Sequence, residues 1–337
     1  MLLAGLAVLP SGCAAPRTAK TDLQTLLRGG IGPVRAADVR HLREELLAIE
    51  RRGGDSEVVA LAIDTLAEID AMRPYPNDVS RCSKGSQDRY QESEEDFARG
   101  RRAEARSKLE HAMQACPDSA VMRTSYGAFF LTSGDTARAD AELRAAIRID
   151  PWNRAAHRML SEIEAASGRA QQAYQQALLA VMSDPTSEMS WLTLRLRMRR
   201  PAAMRRVRMR KPAEAVVGTN NILFDPDAAG DDGPVWMAYA IGKLGGPTDS
   251  VFEHERSGVE AALGVYGNGN GTAAAGAAAP SPFWEMLRMA KDRGYLDVAV
   301  YVHFLTPAMA DEYAAFRAAN RDRISDYLRG LAPFDAV

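Results

Sequence analysis

The side chains best suited to proton transfer lie in the second half of the chain: Glu253, His254, Asp297 and His303. A histidine titrates near neutral pH and can act as a general acid or base when a carboxylate is close to it. Adjacent residues on a helix point in different directions, so the side chains of Glu253 and His254 diverge rather than converge on a metal. These four residues are candidates only for a site assembled from positions that are far apart in the sequence.

The chain lacks the short motifs that build the commonest catalytic sites. It contains no H-E-x-x-H, no C-x-x-C, no G-x-S-x-G and no glycine-rich loop that ends in lysine. The GNGNG run at 267–271 lacks the strand, the helix and the lysine of a phosphate-binding loop. We therefore predict a non-enzymatic protein with no cofactor and no metal. The alternative is that the C-terminal half is a ligand-binding or catalytic module.

Two of the three cysteines, Cys82 and Cys116, bracket a predicted pair of helices. In an antiparallel pair the start of the first helix lies beside the end of the second, so the two sulfur atoms can come within bonding distance. The spacing therefore predicts a disulfide, a bond that proteins keep mainly in oxidising compartments. The alternative is a pair of separate, buried thiols.

The N-terminus is a short apolar stretch, MLLAGLAVLPSG, that ends in small residues before Cys13. It has the length of an export signal and is too short to span a bilayer. The arrangement resembles a bacterial lipoprotein signal, in which Cys13 would become the lipidated first residue. The resemblance implies a leader at 1–13 and an exported lipoprotein, anchored to the membrane on the periplasmic face of the envelope. The alternative is a cytoplasmic protein with an apolar leader.

The composition is that of a folded protein with two or three domains. The chain has 337 residues, of which 46% are apolar and 26% are charged. It has no apolar run of the roughly 18 residues that a spanning helix needs. Its net charge is -2, so it lacks the strongly basic character of nucleic-acid-binding proteins. We therefore expect a protein partner and no nucleic acid.

Three consecutive segments of equal length, 86–119, 120–153 and 154–187, repeat the same pattern. Each has a glycine where two helices must turn, alanines where helices must pack closely, and a proline that ends the second helix. A period in this range is typical of stacked helical hairpins. The repeated columns are Gly100, Gly134 and Gly168; Ala105, Ala139 and Ala173; Ala112, Ala146 and Ala180; and Pro117, Pro151 and Pro185.

The repeat resembles the tetratricopeptide (TPR) family. The segment GDTARADAELRAAIRIDPWN at 134–153 matches that family's pattern closely, and Tyr126, Gly127 and Phe130 fit the pattern of its first helix. The resemblance implies a TPR-type α-solenoid, in which three hairpins at 86–187 stack into a right-handed superhelix.

Both ends of this array differ from its middle. The first repeat has Glu92, Ser93 and Asp96 where the family has an apolar, a small and an aromatic residue, so we expect an atypical terminal repeat. After the third repeat, Trp191 and Leu194 fall at the spacing of a further first helix. They predict a capping helix at 188–200, which solenoids need in order to cover their last apolar face.

In this family the first helices line a concave groove that takes an extended peptide or a helix of a partner. Aromatic and arginine side chains are frequent interface anchors, so we favour Tyr90, Trp152 and Arg158. Tyr90 and Trp152 could instead pack between neighbouring helices. Only Arg158 suits a carboxylate ligand, so a chaperone C-terminus is not the expected partner. The implied groove residues are Tyr90, Glu94, Phe97, Thr124, Ala128, Leu131, Arg158, Glu162 and Ala165, with Trp152 at the rim.

The flanking segments are predicted to be mainly helical. A helical hairpin is expected at 20–75, and a separate C-terminal domain at 234–330. Its helices are predicted at 234–244, 250–265, 282–293 and 307–329, with a further buried helix at 295–305 despite its β-branched residues. The linker at 201–233 is first basic and then acidic. Its basic part could attract anionic lipid or an acidic partner, or could simply be a solvated face.

The sequence thus predicts an all-α protein in which a TPR-type solenoid joins two other helical segments. The predicted function is that of a non-enzymatic scaffold in the bacterial cell envelope. Its concave groove would bind a peptide or a helix of a partner protein.

Overall fold

The computed structural model describes residues 78–198, 216–218, 221–223, 233–244, 250–267 and 282–331. These residues are helical apart from one short β-hairpin, which confirms the all-α class. The chain forms two compact units, Met1–Thr193 and Leu194–Val337. The predicted leader at 1–13 with Cys13, the hairpin at 20–75 and most of the linker at 201–233 lie outside the described residues.

The first unit consists of helices that pair with their neighbours in sequence. The elements are a 3-10 helix at Asp78–Arg81, α1 Lys84–Ala98, α2 Arg102–Ala115, α3 Ala120–Thr132, α4 Thr136–Ile149, α5 Arg154–Ala166, α6 Ala170–Ser183 and α7 Glu188–Leu196. α1 packs along α2, α3 along α4 and α5 along α6, while α2 contacts α3 and α4 contacts α5. α7 begins as predicted but ends four residues before position 200.

Each helix pair turns on a glycine in the left-handed backbone region. Gly100, Gly134 and Gly168 have φ angles of 76°, 82° and 75°. The residue after each glycine donates its backbone N–H to a carbonyl five residues earlier, as in the bond from Asp135 to Phe130 at 2.9 Å. This closes the first helix of the pair in the same way three times. The repeated glycine of the sequence is therefore a repeated turn.

The alanine columns lie where helices approach each other most closely. Ala112, Ala139, Ala146, Ala173 and Ala180 are all fully buried. Within the second pair the approach also requires a glycine, because a Cβ atom at position 127 would lie 2.7 Å from Cγ of Leu143. A larger side chain in any of these columns would push the paired helices apart.

The N-terminal end of the array is fastened by side chains from outside the first helix pair. Asp78, in the 3-10 helix, accepts a hydrogen bond from the hydroxyl of Ser119 at 2.7 Å and another from the backbone N–H of Ala120 at the start of α3. Cys82 and Cys116 form the predicted pair: a disulfide joins them, with their Cα atoms 5.7 Å apart. The segment before α1 is thus tied both to the end of α2 and to the start of α3.

The second unit has six α-helices among its described residues. The elements are β1 Val216–Gly218, β2 Asn221–Leu223, α8 Gly233–Leu244, α9 Val251–Gly267, α10 Pro282–Asp292, α11 Leu296–Phe304, a 3-10 helix at Pro307–Met309, α12 Ala310–Ala319 and α13 Arg321–Leu331. α8 pairs with α9, which also contacts α10 and α11. The helix predicted at 295–305 is confirmed as α11, and Val298, Ala299 and Val300 within it are fully buried.

One expectation for this half was wrong, and one feature was not predicted. The single helix predicted at 307–329 is divided at Asn320, which ends α12 with backbone angles of φ -123° and ψ 30°. Its backbone N–H and its side-chain amide both donate to the carbonyl of Phe316, each at 2.9 Å. The linker, for which no strand was predicted, contains an antiparallel pair in which Val216 lies opposite Leu223. β-branched residues on both strands favour this pairing.

We expect loss of the disulfide to destabilise the first unit by about 3 to 4 kcal/mol, because the bond closes a long loop and restricts the unfolded chain. Denaturant unfolding followed by circular dichroism, with and without a reductant, measures this difference. The double variant Cys82→Ser, Cys116→Ser should show the same loss and no further response to the reductant. Equal stability with and without reductant would mean that Asp78 and the packing of the first helix pair already hold this end.

Candidate functional site

The first helices α1, α3 and α5 contribute equivalent residues to the predicted groove. Counted from the start of each repeat, positions 5, 9 and 12 recur on the three helices, and we define three rows from them. The inner row is Tyr90, Thr124 and Arg158; the middle row is Glu94, Ala128 and Glu162; and the outer row is Phe97, Leu131 and Ala165.

The inner row is buried, so it does not line an open groove. Tyr90, Thr124 and Arg158 have exposed fractions of only 6%, 8% and 7%. Tyr90 packs in a core cluster with Val79 and Met122, and the hydroxyl of Thr124 donates to the carbonyl of its own helix at Ala120, 2.7 Å away. The expected anchors Tyr90 and Arg158 are therefore both buried, and for Tyr90 this burial fits the alternative of packing between neighbouring helices.

The middle and outer rows remain partly open. All six of their side chains are half-buried, in contrast to the inner row. Phe97 and Leu131 pack on the aromatic cluster beneath them, and the rings of Phe97 and Phe129 meet edge to face with centroids 6.1 Å apart. The surface available to a partner therefore consists of these two rows. Trp152, predicted at the rim, is also half-buried.

The two acids of the middle row have different surroundings. Glu162 on α5 accepts a hydrogen bond from Nη1 of the buried Arg158 at 3.1 Å, so its charge is balanced within its own helix. Glu94 on α1 instead meets two hydroxyl groups, those of Tyr90 and Ser125, which themselves lie 3.0 Å apart. No ion pair reaches Glu94 from any residue that the structure describes.

Burial raises the pKa of the Glu94 carboxyl above its ordinary value, against the smaller opposing effect of the hydrogen bonds from Ser125 and Tyr90. The phenol of Tyr90 also has a raised pKa, because it is buried and lies beside the negative charge of Glu94. A desolvated carboxylate without a nearby cation costs free energy in the folded state. The surroundings of Glu94 in the folded array therefore disfavour the charged form of its carboxyl group.

The repeat pattern did not indicate that position 11, on the same helices as these rows, is a slot that takes either an aromatic residue or a buried acid. At position 11, Asp96 and Glu164 replace the expected aromatic residue that Phe130 supplies in the middle repeat. Both acids are buried and both bind the arginine that follows the hairpin glycine, Arg101 or Arg169. The third repeat therefore uses the same solution as the first, and Asp96 is not a defect of a terminal repeat.

The charges of this slot also connect neighbouring helices. The hydrogen bonds from Lys108 and Arg101 hold the pKa of Asp96 below its usual range. Arg144 on α4 donates to Glu164 on α5 at 2.6 Å and so joins the second pair to the third. In the middle repeat, Phe130 takes the place of the acid and lies under the guanidinium of Arg138, 4.4 Å from the ring centroid.

In the second unit, the residues suited to proton transfer are held by separate partners. Both oxygens of Asp297 accept from Arg323, at 2.8 Å and 2.9 Å. Glu253 forms an ion pair with Arg256 at 3.6 Å on the same helix. His254 is the next residue of that helix and is half-buried. The described contacts do not bring these side chains together around a common point.

His303, the other candidate, is half-buried and packs against aromatic side chains of the second unit. Its Nε2 atom lies 2.9 Å from the hydroxyl of Tyr327, and the ring of Phe283 packs against it edge to face. Burial lowers the pKa of His303 to about 3. The imidazole is therefore neutral at physiological pH and acts as a hydrogen-bonding partner for Tyr327.

No protein family, no curated protein and no solved structure matches this chain. Among the described residues, no three His, Cys, Asp or Glu side chains are grouped in a way that could bind a metal ion. None of the helices in the described ranges combines the length and the apolar character needed to cross a membrane.

We expect the variant Glu94→Gln to be more stable than the wild type at pH 7, by about 2 to 4 °C in melting temperature, because it removes a desolvated charge. Since the folded-state pKa is raised, the wild type is penalised as the pH rises above the ordinary glutamate pKa of 4.5. The gain should therefore vanish below about pH 4, where the carboxyl is protonated in both states. Thermal melts across this pH range measure it.

The matched control is Glu162→Gln, which changes the same position of the third repeat. It removes the negative charge opposite Arg158 and leaves that buried cation with only a neutral amide oxygen as its acceptor, so we expect a loss of stability. A melting temperature of Glu94→Gln equal to or below that of the wild type at pH 7 would mean that Glu94 is not strained.

Proposed function

We propose that the chain is a non-enzymatic scaffold whose three helix pairs form a TPR-type solenoid and bind a segment of a partner protein. The partner would lie along the middle and outer rows of α1, α3 and α5. We further propose that the protein is an exported lipoprotein of the bacterial envelope, anchored through Cys13.

The observation that carries this proposal is the threefold recurrence of one structural unit. The three turns at Gly100, Gly134 and Gly168 have φ angles within a few degrees of one another and recur at the sequence period of the repeat. Helix pairs that repeat in this way stack side by side and create an extended concave surface, which such proteins use for binding. The contacts between α4 and α5 and between α2 and α3 fit this stacking.

The distribution of burial supports a binding surface along the first helices. Glu94, Phe97 and Leu131 are half-buried at positions where a solenoid has its groove, and they combine apolar with charged side chains. An interface core of this kind needs partly exposed apolar residues with a polar rim around them. The separate partners of His303 and Asp297 leave the scaffold function better supported than catalysis.

The disulfide supports an exported protein. Cys82 and Cys116 are joined across the first helix pair, and structural disulfides persist in oxidising compartments such as the bacterial periplasm. Cys13 lies outside the described residues, so its proposed lipidation rests on the sequence.

A photo-crosslinking experiment in the native host tests the groove. Benzoylphenylalanine at position 131 should capture a partner, since Phe97 shows that this row accepts an aromatic ring. Adding Ala128→Arg should reduce that crosslink at least about tenfold by filling the groove. The substitution is tolerable, because the same position takes glutamate in the first and third repeats.

The matched control is Ala141→Arg, in the exposed face of α4, which should leave the crosslink at position 131 unchanged. Circular dichroism of both variants shows that they fold. A crosslink that survives Ala128→Arg, or one that Ala141→Arg removes equally well, would contradict the proposed groove.

Lipidation is tested separately by metabolic labelling with an alkyne fatty acid, followed by membrane fractionation. The wild type should carry the label and sediment with membranes, whereas Cys13→Ser should be unlabelled and should leave the membrane fraction. Two myristoyl-length or longer chains are needed for stable anchoring, so the loss should be nearly complete. An unlabelled wild type with free thiols at Cys82 and Cys116 would favour the cytoplasmic alternative.

A further inference from the structure

Buried and half-buried acids of the first unit are balanced by specific partners. Among the acids at 78–193 other than Glu94, most form ion pairs, and Asp78 and Asp150 accept backbone N–H groups, from Ala120 and from Trp152. The ion pairs join Glu95 to Arg99, Asp96 to Lys108, Glu110 to Arg106, Asp135 to Arg138, Asp140 to Arg144, Glu142 to Arg123, Glu162 to Arg158, Glu164 to Arg169 and Asp184 to Arg154.

Glu94 departs from this rule within residues 78–193. Its carboxylate meets the hydroxyls of Tyr90 and Ser125, and neither group carries a positive charge. A hydroxyl pair fixes the orientation of a carboxylate but compensates only part of its desolvation cost. The surroundings of Glu94 therefore lack a cation, although the array supplies one to comparable acids nearby.

The open rows of the first helices do not supply such a cation to Glu94. The next residue of the middle row is Ala128, whose side chain is a single methyl group, and it lies between the two acids of that row in repeat order. Neither the middle row nor the outer row contains a lysine or an arginine, and Arg158 beneath them is buried and bound to Glu162. The open rows therefore carry one uncompensated negative charge, at Glu94, beside the apolar side chains of Phe97 and Leu131.

We propose that this surface binds a lysine or arginine side chain of the partner segment against Glu94, with an apolar partner residue packed on Phe97 and Leu131. The inference rests on the proposed groove function and specifies the chemistry of its ligand. Charge complementarity decides the occupant, because the one uncompensated charge of the two open rows is the negative charge of Glu94. A cation from the partner would supply the contact that the free protein lacks.

The geometry also accounts for selectivity. Tyr90 is buried and its hydroxyl lies 3.0 Å from that of Ser125, so the hydroxyl groups that surround the carboxylate are in place before the partner arrives. Preorganised charge in a partly desolvated place binds an opposite charge more strongly than a solvated side chain does. A partner residue without charge at this point would leave Glu94 desolvated and unpaired, and should bind more weakly for that reason.

The test uses a phage-displayed library of random dodecapeptides, selected on the full chain. Peptides that bind should share a lysine or an arginine at one position, next to an apolar residue. The dissociation constant of the best peptide is then measured by fluorescence anisotropy on the wild type, on Glu94→Gln and on Glu162→Gln as the matched control. The same measurements are repeated with its cationic residue replaced by norleucine or citrulline.

We expect Glu94→Gln to weaken binding by at least about tenfold, a norleucine or citrulline peptide to bind the wild type equally weakly, and both changes together to cost little more than one. Glu162→Gln should have a smaller effect. Selected peptides that bind Glu94→Gln as tightly as the wild type, or that share no basic residue, would overturn this inference while leaving the groove in place. A library that yields no binder would count against the groove function itself.

Discussion

Each helix pair of the first unit has an apolar face that its own two helices do not cover, and this constraint governs the rest of the array. Phe129, Phe130 and Leu143 of the second pair form one cluster with Met159 and Leu160 of the third. A single hairpin would leave that surface in water, so the pairs are stable only when stacked. The buried alanine columns follow from this need, because they set how closely successive helices approach.

Charge is distributed according to the same constraint. The slot at position 11 lies next to the stacking surface, where an aromatic residue such as Phe130 fills space and a carboxylate such as Glu164 needs cations. Arg144 and Arg169 both reach Glu164, one from the preceding helix pair and one from its own turn. A buried acid with two arginines holds the register between neighbouring pairs, since a shift by one turn would separate the charges.

The features that sequence could predict are those that depend on local spacing. The glycine turns, the alanine columns, the pairing of Cys82 with Cys116 and the burial of α11 all follow from residue types at fixed intervals. The features that it missed depend on contacts between distant segments. Asp78 binds the start of α3 more than 40 residues away, and no local pattern indicates this. The division at Asn320 depends on the backbone angles and the capping hydrogen bonds of one residue.

The residues of the predicted site separate into a buried group and an open group, and local spacing could not predict this separation either. The repeat pattern places Tyr90, Glu94 and Phe97 on one face of α1. It does not indicate how deeply each of these side chains is buried. The structure buries Tyr90 and leaves Glu94 and Phe97 half open.

The buried inner row contacts the acids of the middle row and fixes their orientation. Tyr90 holds Ser125 and orients Glu94, and Arg158 does the same for Glu162. In the proposed groove, these buried residues fix the positions of the side chains that would meet the partner. We expect this order to reduce the conformational entropy that the groove loses on binding, and the proposed selectivity then lies in the difference between two glutamates at equivalent positions.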